Sequence, residues 1–202
     1  PRQDIRNTPA QNLPDVLSTR AGVNVSSLGG AMGRNAKVDM RGFGATAVSN
    51  VLVLVDGVRL NASDLSGADL TSFALSQVER IEVLRGPQGT LFGRNTEGGA
   101  VNMVSRKPTG QYGYRASAGF GNLGSYNADM HLDLPGFYDI SLKFDGVMQH
   151  RDAVVENPLP GAEGWGFYDR QGFKATALWQ PTDTFSAEYS YDIGTDKNTP
   201  YY

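Results

Sequence analysis

The sequence predicts a chain in two parts. Residues 1–108 read as a mixed α/β unit with short helices, and 109–202 as five antiparallel strands of the kind that cross a bilayer in a β-barrel. Three observations carry this. Helix-like and strand-like apolar spacings are interleaved up to Lys107-Pro108. From residue 112 onward the apolar period is two. Charge changes at the same place: 1–108 holds 12 Lys+Arg against 9 Asp+Glu, and 109–202 holds 6 against 12, giving −3 overall.

Asn12-Leu13-Pro14-Asp15 opens the first helix. Asn12 can cap it, Pro14 suits its first turn, and Leu13, Val16 and Leu17 share a face. Gly22 ends it, and a glycine-rich loop from Leu28 to Arg34 follows. Val38 and Met40 alternate with Lys37, Asp39 and Arg41, which predicts a half-buried strand. Val51 to Val55 is unbroken aliphatic sequence, expected as a strand covered on both faces. Asp56-Gly57 is a hairpin turn signal. Phe73 to Val78 predicts a helical turn, and RIEVLRG and AVNMVS predict two more strands.

Between those strands lies EVLRGPQGTLFGRNTEGGAVN, residues 82–102. It lacks the lysine of a phosphate-binding loop, and Leu91, Phe92 and Val101 are too apolar for a linker. Gly86-Pro87 is expected to turn the chain out of the strand, Gln88 to Phe92 to form a helical turn, and Gly98-Gly99 to permit close backbone approach. Gly42, Gly57, Gly86, Gly89, Gly98 and Gly99 are thus structural turn glycines.

In the second half Tyr112, Tyr114, Ala116, Ala118 and Phe120 alternate with Gly113, Arg115, Ser117 and Gly119. Segments 126–134, 140–145, 173–180 and 185–192 repeat the pattern, with aromatic side chains near their ends. These segments run from six to nine residues, against about 9 to 11 for a tilted bilayer-crossing strand. Pro135-Gly136-Phe137 and Pro181-Thr182-Asp183 are tight turns, whereas 152–166 is a long polar loop, a sidedness barrels share. A soluble antiparallel sheet also alternates, and a small soluble α/β domain fits the first half by pattern alone. Five strands do not close a barrel, so the membrane reading implies strands beyond this chain. Pro1 follows neither Met nor a signal peptide, which reads as a processed or excerpted start.

The usual catalytic apparatus is sparse. There are no cysteines, and the only histidines are His131 and His150. Basic residues are not clustered densely enough for a nucleic-acid footprint. GFGNLG, 119–124, spells a dinucleotide fingerprint, but a strand follows it where a helix is required. His131 with Asp129 and Asp133 shares one strand face, yet one histidine and two carboxylates make a poor zinc site. No nucleophile elbow appears, so the sequence predicts neither an enzyme nor a cofactor.

VLVLVDGVRL followed by VERIEVLRGPQGTLFGRNTEGGAVNMVSRKP, with MRGFG at 40–44 and DVLSTRAGVNV at 15–25, resembles the plug of TonB-dependent outer-membrane receptors over residues 10–108. The segments after it look like the first five strands of that family's barrel. The resemblance implies a barrel of about 22 strands in the Gram-negative outer membrane, filled by the plug and bathed in lipid. It implies capture of a scarce ligand, most often a ferric siderophore, with a carbohydrate or cobalamin as alternatives. It also implies import energised by TonB with ExbB and ExbD through an N-terminal box, which is not seen before Pro1. Carried over by position, Arg41 and Arg85 match plug arginines that pair with barrel glutamates, and Glu82 is a local partner for one arginine or else part of a surface strand pair. The outward-facing loops map to Ser27–Lys37 and Asn61–Asp69, making Arg34, Asn35, Asn61, Ser63 and Asp64 candidate ligand contacts. A ligand-capturing module without transport, and a soluble α/β enzyme, are the competing classes.

Overall fold

The computed structural model describes residues 13–20, 22–27, 36–61, 67–70 and 77–199. It divides into two compact units, Pro1–Ser105 and Arg106–Tyr202.

In the N-terminal unit, helix α1 (Leu13–Ser18) buries Leu13, Val16 and Leu17, the face its spacing predicts. Strands β1 (Val23–Ser27) and β2 (Ala36–Met40) pair antiparallel, Val23 opposite Met40. The sequence reading named no strand at 23–27. Two valines in a five-residue polar run give too little periodicity, and only pairing with β2 makes the segment a strand.

A 3₁₀ turn and α2 (Ala47–Asn50) lead into β3 (Val51–Val55). All five β3 residues are buried, for a physical reason. Val51, Val53 and Val55 pack with Leu13, Leu17, Met40 and Met103 in the main core, while Leu52 and Leu54 pack with Ala100 and Phe92 on the opposite face. Asp56 (φ 49°) and Gly57 (φ 82°) form the hairpin turn into β4 (Val58–Arg59). Asp56 Oδ1 also accepts from Ser105 N at 2.7 Å, tying the turn to β6 (Gly99–Ser105). With β5 (Val78–Arg85) the sheet runs β4-β3-β6-β5; β3 and β6 are parallel and the other pairs antiparallel. Between β5 and β6, α3 (Gly89–Phe92) is the predicted helical turn. The helical turn expected from Phe73 falls at 73–76 outside the described residues, and Val78 already belongs to β5.

The C-terminal unit is one antiparallel meander in the order β11-β10-β9-β8-β7. Its strands are β7 (Gly113–Phe120), β8 (Tyr126–Asp133), β9 (Ile140–Arg151), β10 (Tyr168–Thr182) and β11 (Phe185–Asn198). The last three, of 12, 15 and 14 residues, outrun the periodic segments. Backbone pairing continues past the apolar stretch, as Arg170 opposite Asp196 illustrates. The links are sided. Gln180 N donates to Asp139 O at 2.8 Å, placing the 134–139 turn beside the β10–β11 end, while Asp152 N donates to Leu123 O at 2.9 Å, joining the long loop to the β7–β8 link.

The faces of this sheet are inverted relative to a water-soluble one. Phe120 is 89% exposed and Tyr189 70%, whereas Lys143 and Asp145 are fully buried and His131, Asp133, Arg170 and Lys174 nearly so. Leu142, Phe144, Ala175, Ala177, Tyr189 and Tyr191 lie on one continuous apolar face because the registers align them. From Ile140 to Met148 that face is nine residues tall. At about 3.3 Å per residue and a tilt of roughly 45° it spans about 20 Å, close to the roughly 25 Å apolar band of outer-membrane barrels.

Candidate functional site

The sequence pointed to the turns of the N-terminal unit, and MRGFG is the most constrained of them. Arg41 has φ 70° and Gly42 φ 76°, two consecutive left-handed residues. A left-handed arginine carries strain that its surroundings must offset. Asp39 does so: its Oδ1 accepts from Phe43 N and its Oδ2 from Gly44 N, both at 2.9 Å. Met40 is buried in the core beside it, so the turn is pinned on two sides and the Arg41 side chain is left exposed. Sequence reading passed over Asp39, although an aspartate placed just before a glycine-rich turn is the residue type that accepts from turn amides.

Arg85 closes β5, exposed, and its Cα partner is Gly99. Of the two expectations for Glu82, the surface strand pair is the one that forms, and Arg41 and Arg85 are not its partners. Its Oε1 accepts from Arg80 Nε at 2.8 Å, and its Oε2 from Asn102 Nδ2 at 3.0 Å. Alternation explains the outcome: residues 80 and 82 share a face of β5, residue 85 faces the other way, and Asn102 is the cross-strand partner of Glu82. The Asn102 hydrogen bond, then the one from Arg80, holds the Glu82 carboxyl below the usual carboxylate range. The same carboxylate raises Arg80.

Asn61 is also hydrogen-bonded. Its Oδ1 accepts from Val53 N at 2.6 Å, while its Nδ2 donates to Val51 O at 3.0 Å and Val48 O at 3.3 Å. Both amide protons are used on the backbone of α2 and β3, so Asn61 is a structural clip. Arg34, Asn35, Ser63 and Asp64 lie outside the described residues.

Among the turn glycines, Gly42, Gly57, Gly86 and Gly99 take φ of 76°, 82°, 87° and 145°. At Gly99 a Cβ would overlap Leu84 O and stand 2.9 Å from Met40 Sδ; at Gly98 it would stand 2.9 Å from Val51 Cγ2. Gly89 is different. Its φ is not positive, and a Cβ there meets only Thr96 Oγ1 at 4.0 Å, so the fold does not require glycine at that position.

In the C-terminal unit the inward face carries a buried charged cluster that sequence reading treated only as a weak metal suggestion. His131 Nδ1 lies 2.8 Å from Asp145 Oδ1 and Nε2 lies 2.9 Å from Asp133 Oδ2. Asp129 instead receives the Ser117 hydroxyl at 2.5 Å. Among the described residues no group of three or more His, Asp or Glu is arranged to hold a metal ion.

A core-packed α/β unit followed by strands with an apolar outside and a polar, buried inside defines a plugged β-barrel class. Residues 1–100 match the family model described as the TonB-dependent Receptor Plug Domain, so the N-terminal unit is a plug domain of that family. Solved structures agree in fold. The siderophore receptor PirA from Pseudomonas aeruginosa is 23% identical, with TM-score 0.71, over 98% of this chain and 34% of its own. The ferric yersiniabactin uptake receptor FyuA from Yersinia pestis is 25% identical, with TM-score 0.72, over 93% of this chain and 29% of its own. The pyoverdine outer membrane receptor FpvA from Pseudomonas aeruginosa PAO1 is 19% identical, with TM-score 0.75, over 96% and 26%. The chain thus spans about a third or less of the receptors it matches.

Proposed function

We propose that this chain is the plug, over 1–108, and the first barrel strands, over 109–202, of a Gram-negative outer-membrane receptor. The receptor captures a ferric siderophore and imports it with energy from TonB, ExbB and ExbD, coupled through an N-terminal box. The observation that carries the reading is the inverted sheet, exposed apolar residues outside and buried charge inside, directly following a family-matched plug. Such a face is stable against lipid and costly against water.

In this reading Arg41, held out by the Asp39 turn, and Arg85, at the end of β5, meet carboxylates of the barrel wall. A guanidinium fork suits that task in a partly wet lumen. Arg34, Asn35, Ser63 and Asp64 are the proposed contacts of the external ligand. The siderophore class is supported by the receptors this fold resembles, whose descriptions name siderophore, ferric yersiniabactin and pyoverdine uptake or binding.

The experiment is uptake of ⁵⁵Fe-loaded enterobactin, yersiniabactin and pyoverdine by cells expressing the full-length gene, with and without TonB. Uptake of at least one, abolished without TonB, is the expected result. Binding without uptake would instead establish a capture module. Uptake indifferent to TonB would overturn the reading.

A further inference from the structure

The inward-facing charges of β8 and β9 are costly to bury. Lys143 and Asp145 are fully buried, and His131 and Asp133 nearly so. Burying four ionisable groups opposes folding unless their hydrogen bonds are close to complete. Register creates the cluster: His131 sits opposite Asp145, and Asp133 opposite Lys143. The groups then alternate along a chain of contacts. Asp133 meets His131 at 2.9 Å, His131 meets Asp145 at 2.8 Å, and Asp145 Oδ2 meets Lys143 Nζ at 3.2 Å. Arg115 of β7 and Lys174 of β10 stand opposite His131 and Asp145 and add positive charge around the two carboxylates.

Both ends of this chain reach off the sheet to the same place. Lys143 Nζ donates to Arg106 O at 2.5 Å, and Asp133 Oδ1 accepts from Thr109 N at 3.2 Å. Gly136 N, in the β8–β9 turn, donates to Gly110 O at 2.8 Å. Segment 106–111 is the connector that leads from Ser105 into β7, and it is held at three successive points. Its own turn is set by Thr109, whose hydroxyl donates to Gln111 O at 3.1 Å. Apolar residues would fill the same volume at less cost. What they would lack is a donor and an acceptor aimed at the connector backbone.

We propose that Lys143 and Asp133, oriented by His131 and Asp145, are positioning residues that clamp connector 106–111 onto strands β8 and β9. The clamp makes the connector a fixed point throughout import. Energy coupled through the N-terminal box is then taken up by the plug's own N-terminal elements, while the connector into β7 stays in place. The clamp stands on geometry alone; its role in import rests on the TonB-dependent reading above.

Two measurements on the full-length receptor test it. The first is amide hydrogen exchange of peptides covering 106–112. Native connector amides are expected to be protected; K143M and D133A speed their exchange at least about tenfold, K143R restores protection, and peptides from β10 and β11 do not change. Fast exchange in the native receptor, or loosening of β10 and β11 alongside the connector, overturns the clamp. The second locks it. A Cβ on Gly136 would lie 3.6 Å from Gly110 Cα, and Ser141 Oγ is what a Cβ on Gly110 would strike, at 2.8 Å. A G110C/G136C pair in an S141A background therefore closes a disulfide across the connector, whether or not K143M assembles. Uptake of ⁵⁵Fe-siderophore equal before and after reduction is expected. Uptake that returns only on reduction overturns the fixed-point role. Loss of TonB dependence in the native receptor would sink the import reading and leave the exchange result standing.

Discussion

Gly99→Ala and Gly89→Ala make the sharpest paired prediction, because the two glycines look alike in sequence and differ in structure. Gly99 starts β6 at φ 145°, where an alanine is strained, and its new Cβ overlaps Leu84 O and crowds Met40 Sδ at 2.9 Å. Backbone strain of about 1–3 kcal/mol and overpacking of about 1–3 kcal/mol give a loss of roughly 2–6 kcal/mol. Arg85 is the Cα partner of Gly99, so the damage falls where that arginine is aimed. Gly89, in a helical turn with open space at 4.0 Å, gains roughly 0.5–1 kcal/mol on becoming alanine. The plug lacks tryptophan, so the assay is amide exchange of Val101 and Met103 in the full-length receptor. The expected result is fast exchange in G99A and native or slower exchange in G89A. G99A within about 0.5 kcal/mol of native, or G89A equally harmful, refutes the close-approach reasoning.

Asn61→Ala strands the amide of Val53 and removes two donors, and is expected to cost about 1–3 kcal/mol of plug stability with ligand affinity unchanged; β3 exchange and a binding isotherm check the two halves. Ala175, opposite Phe144 and Tyr191 at mid-height of the outer face, tolerates leucine but not arginine, which is expected to cost about 2–4 kcal/mol in urea titrations of the receptor folded into vesicles. The Glu82 carboxyl is held low in the folded state, so its contribution is present above the unfolded-state titration range and fades as pH falls through the folded-state one. Asn102→Ala, which removes the larger cause, is expected to move the Glu82 titration upward by NMR. An unchanged titration would reassign the shift to Arg80.

The alternation of Ile140, Leu142 and Phe144 with Ser141, Lys143 and Asp145 was sufficient to foresee a sheet with one apolar and one charged face. A period of two fixes side-chain direction without any knowledge of neighbours. Val51 to Val55 likewise announced a strand covered on both sides, and Asp56-Gly57 its hairpin. These are local properties, settled within a few residues by sterics and the need to bury apolar groups. Asn61, Asp39 and Glu82 were harder because their partners are chosen by turns and by strand pairing, which no residue pattern displays. Asn61 sits on a loop beside β4, yet its amide is consumed by residues 48, 51 and 53.

The buried clamp shows the division most plainly. Sequence alone places His131 and Asp133 on one face of one strand, and Lys143 and Asp145 on one face of the next. A shift of pairing by one residue would turn either set to the other side. Only the six-residue link 134–139 and the registers it imposes set His131 against Asp145 and carry Lys143 to the carbonyl of Arg106. Composition and periodicity determined that this chain has a packed core unit and a sheet with one apolar and one charged face. Tertiary structure decided which charges meet, because hydrogen bonds are short and directional whereas hydrophobic burial is neither.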